Sequence, residues 1–256
     1  MTKILVIGET CIDEYVYGTC HRVCPEAAAL CFNRHHNKPP RTNLGMAGNV
    51  LNNLKSIDVG LSYDLITNDI SDNPIIKRRF IDTKYNTIIF REDINDKCSA
   101  ISGLTSLDSY DVIVISDYNK GLLSYPDYEN IRKLAPKAMI FADTKKAVDS
   151  RIYSFVDCIK INHQEYTSNV SDVSDVSRSC VLIVTTGSEG CFMVHNSETY
   201  SFVTTPIDIR DVCGAGDTFL AGLVIEYVRT SDIKQAIVFA NKMAGRVVQK
   251  FGVCTP

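Results

Sequence analysis

The chain has 256 residues, of which 45% are hydrophobic and 22% charged, and its formal net charge is −3 at pH 7. This is the balance of a soluble globular protein with room for one large α/β domain and a small appended lobe. There is no basic excess of the kind a nucleic-acid binder needs, and no apolar run approaches the roughly 18 residues that span a bilayer, so neither nucleic acid nor membrane is expected as a partner.

The start, Met1 to Gly8, is a short apolar strand and not a signal peptide, with Ile4 to Gly8 reading as a first buried strand. Residues 14–36 are strand-like and stand outside the alternation that follows. Ala47 to Leu54 reads as a helix. Residues 77–92 are again strand-like, with turn chemistry at Tyr85-Asn86. Together, 14–36 and 77–92 predict a small β lobe, placed as a lid, an interface, or both. Asp111 to Ile115 is another buried strand, followed by a loop and a helix around Tyr128 to Leu134. Met139 to Ala142, Cys158 to Ile161 and Val181 to Val184 continue the series of short buried runs. Ser168 to Ser179, rich in Ser, Asp and Val, reads as a surface loop or weak helix.

The last third has the clearest periodicity. Phe219, Leu220, Leu223, Val224 and Tyr227 fall on one helical face, and a second apolar stripe runs from Ile233 to Phe251. Both helices are expected to pack against the sheet. Strands alternating with helices predict an α/β fold: a mostly parallel central sheet flanked by helices, as a single domain over residues 1–256 with the β lobe projecting from it. No internal repeat is present. The ten cysteines are scattered from Cys11 to Cys254 without a Cys-x-x-Cys pair. They predict reduced, mostly buried thiols in a cytoplasmic protein.

Gly214-Ala-Gly-Asp-Thr218 lies directly before the first of the two C-terminal helices. Small residues let backbone N–H groups approach an anion, and a helix N-terminus adds partial positive charge. Asp217 then stands beside that anion site, where a carboxylate can take a proton from a hydroxyl attacking a phosphoryl group. The same five residues also suit a glycine-rich turn in which Asp217 stabilises the helix start. Residue type and spacing leave both readings open.

The wider pattern separates them. Asp211-Val-Cys-Gly-Ala-Gly-Asp217 resembles the Asp-Thr-x-Gly-Ala-Gly-Asp signature of ribokinase-like (PfkB) carbohydrate kinases, with Val212 in the Thr place. Asn162-His-Gln-Glu165 resembles the family's Asn-x-x-Glu element, Thr186-Gly-Ser-Glu-Gly190 its loop beside the nucleotide, and Phe239-Ala-Asn241 its segment against adenine. Gly8-Glu-Thr-Cys-Ile-Asp13, Arg22-Val-Cys-Pro-Glu-Ala27, Ile115-Ser-Asp-Tyr-Asn-Lys-Gly121 and Gly252 to Pro256 are similar to the branch that phosphorylates the anomeric hydroxyl of a heptose 7-phosphate.

The resemblance implies a ribokinase-like fold using ATP and Mg²⁺, with a sugar or sugar phosphate as partner. It implies Asp217 as base and Gly214, Ala215 and Gly216 as the anion hole. Asn162, Glu165, Thr186, Gly187, Gly190 and Asn241 would serve the nucleotide, with Glu165 supporting Mg²⁺ through water. Asp13, Gly45 and Asn49 would hold sugar hydroxyls. Asp117 and Lys120, just beyond a buried strand, are further substrate candidates, because ligands of open α/β sheets bind at strand ends. Arg22, Arg78, Arg79 and Arg91 are candidates for the remote phosphate, since guanidinium pairs well with it. His35-His36, without a third ligand nearby, reads as lobe surface. An open edge on the lobe would be covered if two subunits paired through it.

Several positions depart from the family. Glu9 stands for the usual Asp, Met46 for the second glycine of a Gly-Gly pair, and Ala142-Asp-Thr-Lys145 for Asp-Pro-Lys. The stretch 64–79 is short, the sequence ends at Pro256 before a usual last helix, and no nucleotidyltransferase domain is expected within these 256 residues. These departures keep two alternatives open: another ribokinase-like sugar or nucleoside kinase, and a catalytically weak sugar- or nucleotide-binding protein.

Overall fold

The computed structural model describes residues 1–256 apart from Ser171 and Pro206. In chain order the strands are β1 (Lys3–Gly8), β2 (Thr10–Val23), β3 (Leu30–Arg34), β4 (Arg41–Met46), β5 (Ser62–Ile66), β6 (Ile75–Asp82), β7 (Thr87–Ile94), β8 (Val112–Asp117), β9 (Met139–Thr144), β10 (Cys158–Asn162), β11 (Val181–Thr185), β12 (Cys191–His195) and β13 (Glu198–Phe202). The helices are α1 (Ala47–Ile57), α2 (Tyr125–Leu134), α3 (Ser150–Tyr153), α4 (His163–Asn169), α5 (Val173–Ser179), α6 (Ala215–Thr230) and α7 (Ile233–Val247).

The strands form two sheets. The eight-stranded one has the order β13-β12-β11-β10-β9-β8-β1-β5 and is parallel from β5 to β11, with β12 and β13 added as an antiparallel hairpin. Its parallel strands are covered on both faces, so they read as continuous apolar runs. In β1, Ile4 and Val6 point into a core shared with α1, α6 and α7. Leu5 and Ile7 point into the opposite core, shared with α2. The period of two thus splits one five-residue run between two cores.

The second sheet is the lid, in the order β3-β2-β6-β7, with β4 also paired to β2. It contains both predicted segments, and the turn at Thr83–Asn86 joins β6 to β7 with Asn86 at φ 52°. In the main sheet β5, β12 and β13 were not expected, and the lid differs in two further respects. β2 begins at Thr10, and β4 belongs to the lid although no strand was expected at 41–46. Alternation orients the lid: Cys11, Asp13, Tyr15, Ile75 and Arg79 are buried, while Glu14, Arg78 and Phe80 lie on its other face.

Ser168–Ser179 is helical in its second half, as α5. The last apolar stripe stops being helix at Val247, four residues short of Phe251. All ten cysteines are free thiols, but only Cys11, Cys158, Cys180 and Cys191 are buried, so the expectation that most are buried is corrected. Among the described residues no helix is long and apolar enough to cross a membrane.

Candidate active site

Tyr118 just after β8, Asp143 near the end of β9, Lys160 in β10 and Thr185 at the end of β11 all lie near the start of α6, at the carboxyl end of the sheet where ligands of open α/β sheets bind. Gly214 precedes α6 with φ 79°, a left-handed conformation that costs glycine little. A Cβ there would stand 2.9 Å from the Asn49 amide nitrogen. Three residues on, Asp217 lies in the first turn of α6 and is 5% exposed. Its Oδ2 accepts from Asn49 Nδ2 at 2.8 Å, and its Oδ1 accepts from the Tyr118 hydroxyl at 2.8 Å. Burial is the main cause that pushes the Asp217 carboxyl up to about 6, with Asp143 adding to it; the bonds from Asn49 and Tyr118 and the charge of Lys160 oppose the rise.

Behind this carboxylate is a polar network between α1 and α6. Asn53 Nδ2 donates to the carbonyl and side-chain oxygens of Asn49, at 2.8 and 3.0 Å, and Thr218 donates to Asn53 Oδ1 at 2.8 Å. All of these side chains are buried. Asn49, expected to hold a sugar hydroxyl, orients Asp217 and also lines a pocket with Arg41, Asn43 and Asn52.

Lys160 was not singled out from the sequence. It is the charged residue inside the apolar strand β10, and its Nζ pairs with Asp143 Oδ2 at 2.7 Å. A Cβ on Gly216 would lie 2.9 Å from that ammonium, so the cation sits against the Gly214–Gly216 turn. Burial works against its charge, but Asp143, followed by Glu165 and Asp217, raises its pKa above the ordinary lysine value. A lysine two residues before Asn162, in a strand otherwise apolar up to that point, was the available signal.

Asn162 and Glu165 form a capping box at the start of α4: Glu165 N donates to Asn162 Oδ1 at 2.9 Å, and Asn162 N donates to Glu165 Oε2 at 2.8 Å. The other Glu165 oxygen pairs with Lys145. Among the described residues no group of three His, Cys, Asp or Glu side chains could hold a metal. This donor set suits a magnesium ion that keeps its waters and arrives with phosphates, the usual mode for that ion.

Gly187 and Gly190 both have positive φ, and Thr186 N donates to the Gly190 carbonyl at 2.8 Å, closing the turn after β11. A cavity of about 890 Å³ opens between this turn, the start of α6 and α7. Gly187, Gly190, Ala215, Gly216 and Asn241 line it. The Thr186 side chain does not; Thr185 and Ser188 stand in its place.

The expected acceptor residues divide. Asp13 and Gly45 meet on paired lid strands, where a side chain at 45 would run into the Asp13 carboxylate and Cys11. Asp13 is 3% exposed and ion-paired with Arg79. Asp117 is a correction: it is 1% exposed, and its oxygens accept from Lys146 Nζ at 2.7 and 2.9 Å, the Tyr128 hydroxyl at 2.7 Å and Asn119 N at 2.8 Å. A carboxylate so fully engaged holds the fold and has no site for a sugar hydroxyl. Lys120 pairs with Asp96 at 2.6 Å.

Arg79 is corrected on the same ground, being buried in its ion pair, whereas Arg78 and Arg91 are ion-paired but part-exposed. Arg78 pairs with Glu14 and Glu92, Arg79 with Asp13, and Arg91 with Asp93; among the described residues only Arg22 of the four makes no ion pair. His36 is exposed, as expected for lobe surface. Glu9 was noted only as a departure, yet it is fully buried and its carboxylate accepts from the backbone N–H of Tyr118, Lys120 and Leu122. It ties the 118–122 loop to the end of β1.

Residues 43–256 match the pfkB family of carbohydrate kinases. A bifunctional protein HldE from a Nitratiruptor species is 28% identical over 99% of this chain, and one from Helicobacter pylori is 29% identical over 98%. The chain spans 63% and 64% of the length of these two relatives. Among solved structures, ribokinase from Thermotoga maritima has a TM-score of 0.70 at 15% identity, covering 99% of this chain and 95% of its own. Phosphofructokinase-2 from Escherichia coli has a TM-score of 0.72 at 12% identity, covering 100% and 96%. The fold is ribokinase-like, and with the family match covering most of its length, the chain belongs to the pfkB family of carbohydrate kinases.

Proposed function

We propose that this protein transfers the γ-phosphoryl group of ATP to the anomeric hydroxyl of D-glycero-D-manno-heptose 7-phosphate. The observation that carries the kinase reading is the buried Asp217 in the first turn of α6, near Lys160 and directly after Ala215 and Gly216, which line the 890 Å³ cavity. The heptose acceptor rests on similarity to the HldE proteins along nearly the whole chain.

In this reading ATP occupies the large cavity, with Asn241 on its wall and the Gly187–Gly190 turn at its rim. Gly214, Ala215 and Gly216 present backbone N–H groups to the charge that develops on the transferred phosphoryl, an arrangement worth roughly 3–4 kcal/mol in related transition states. Lys160 adds a fixed positive charge from beneath. Glu165 with Asn162 would hold a magnesium ion through water, and the ion would supply charge neutralisation on the phosphate oxygens. Asp217 takes the acceptor proton as the oxygen attacks in line. Asp13 and Gly45 form the lid wall of the acceptor cleft.

A second acceptor, a ribose-, fructose- or nucleoside-type substrate, is favoured by two observations. Met46 stands beside Gly45 where the family has a second glycine, is 2% exposed, and fills space against Cys11 and Ile75. The pairing of Arg78, Arg79 and Arg91 to lid carboxylates points the same way. Product formation from ATP with heptose 7-phosphate, heptose, ribose, fructose 6-phosphate and adenosine separates the two. Preference for an unphosphorylated acceptor would replace the heptose phosphate reading while leaving the kinase centre in place.

We also propose that two copies pair through the lid. Its outer face carries Phe32, Phe80 and Phe90 as a row, with centroids 5.3 and 4.1 Å apart, and Phe90 is 47% exposed. An aromatic row with open strand edges beside it is a surface that proteins cover.

A further inference from the structure

Tyr118 is the one partner of Asp217 that comes from a loop. Asn49, the other, is locked by Asn53 and Thr218 between two helices. Tyr118 sits between β8 and α2, on a backbone fixed by Glu9 and by left-handed conformations at Asn119 and Gly121, with φ 56° and 111°. With the backbone pinned, any movement of the ring falls to its side-chain bonds.

The ring has three kinds of neighbour. Met46, Cys11 and Ile75 form an apolar cluster against it. Lys77, from lid strand β6, stands 5.1 Å from the ring centroid, and Lys145, just after β9, stands 5.4 Å away. Lid and main sheet therefore both touch the ring. Its hydroxyl bonds Asp217 Oδ1, while Oδ2 belongs to Asn49. A hydroxyl that is to lose its proton to Asp217 must donate a hydrogen bond to the same carboxylate, and that carboxylate is 5% exposed.

We infer that Tyr118 is a positioning residue that caps Asp217 in the resting protein and yields its place to the acceptor hydroxyl. This rests on reading Asp217 as the base. A capped base keeps water from being activated before the acceptor arrives. The contact through Lys77 makes the cap sensitive to the position of the lid. The phenol remains a donor throughout, because burial, and then Asp217 and Asp143, raise its pKa well above the ordinary tyrosine value. The other titratable groups facing Asp217 are Asp143 on β9, Lys160 on β10 and Cys11 on β2. The Cys11 thiol is pushed up to about 12, chiefly by burial, and stays neutral.

The test is Tyr118→Phe in the full chain, which keeps the ring and its packing. Asp217 is followed by NMR of ¹³C-aspartate-labelled protein without substrates. Loss of the donor moves its titration to higher pH, and an unchanged titration overturns the contact. In turnover, the variant has a KM for the acceptor lower on the order of tenfold, the worth of one hydrogen bond to a charged group. It also hydrolyses ATP faster without acceptor. A KM that is unchanged or higher overturns the inference and makes Tyr118 a residue that holds the acceptor. If the unaltered protein phosphorylates no acceptor, the kinase reading fails on that result, and the titration alone still decides whether Tyr118 caps Asp217.

Discussion

Asp217 is held in two ways that oppose each other: burial favours its neutral form, while Asn49, Tyr118 and Lys160 favour the carboxylate. As a base it must be ionised, so acceptor-dependent turnover is expected to rise with pH through a midpoint near 6 and then level off. The linkage to stability runs the other way. A carboxyl lifted from 3.8 to about 6 on folding binds its proton more tightly in the folded state, so stability falls between those values as pH rises. Asp217→Asn is therefore expected to melt higher than the parent at pH 7.5 and equal to it near pH 4, by at most about 3 kcal/mol at 1.36 per pKa unit. Its acceptor-dependent rate should drop by about 10²–10⁴. Met46 offers a second residue-scale test. Its φ of 56° with ψ −130° is a region nearly reserved for glycine, and such strain costs on the order of 1–3 kcal/mol. Truncating a buried Met costs about 2–5 kcal/mol, so Met46→Gly should lose only about 1–2 kcal/mol in a denaturant titration. At this scale the sequence made Gly214 to Asp217 legible because local chain chemistry sets a helix start. It could not show that Asp117 is spent on Lys146 or Arg79 on Asp13, because those partners are 29 and 66 residues away.

At the scale of elements, one motif serves two purposes. Asn162 and Glu165 cap α4 reciprocally, and the same geometry holds Glu165 at the carboxyl end of β10. Asn162→Ala is expected to cost about 1 kcal/mol of stability, the usual worth of an N-cap, and to raise the magnesium concentration needed for half-maximal turnover. A stability loss without a change in magnesium dependence would leave the motif as a cap alone. Buried parallel strands and amphipathic helices were readable from periodicity, because their apolar residues answer to a core on each face. The missed strands lack that pattern. β13 is polar and mostly exposed at the sheet edge, and β4 is a mixed segment whose form comes from pairing with β2. The β12–β13 hairpin did leave a signal: Asn196, a residue type that tolerates positive φ, opens its two-residue turn, and both Asn196 and Ser197 adopt positive φ there.

The whole molecule arranges a sheet whose strand ends carry the charges, a cavity on one side of α6, and a lid on the other. Lid residues were legible as strands that did not fit the α/β alternation, but their outward aromatic row required the register of β3, β6 and β7. Phe90→Asp is expected to turn a dimer into a monomer in sedimentation velocity; a parent chain already monomeric at tens of micromolar would contradict pairing through the lid. The central claim concerns the kinase centre and its acceptor together. The most direct measurement is ³¹P NMR of the products formed from ATP and magnesium with heptose 7-phosphate, for the parent chain and for Asp217→Asn. The account predicts an anomeric phosphate from the parent and almost none from the variant. Equal product from both would contradict Asp217 as the base, and phosphorylation only of unphosphorylated sugars would contradict the heptose 7-phosphate acceptor.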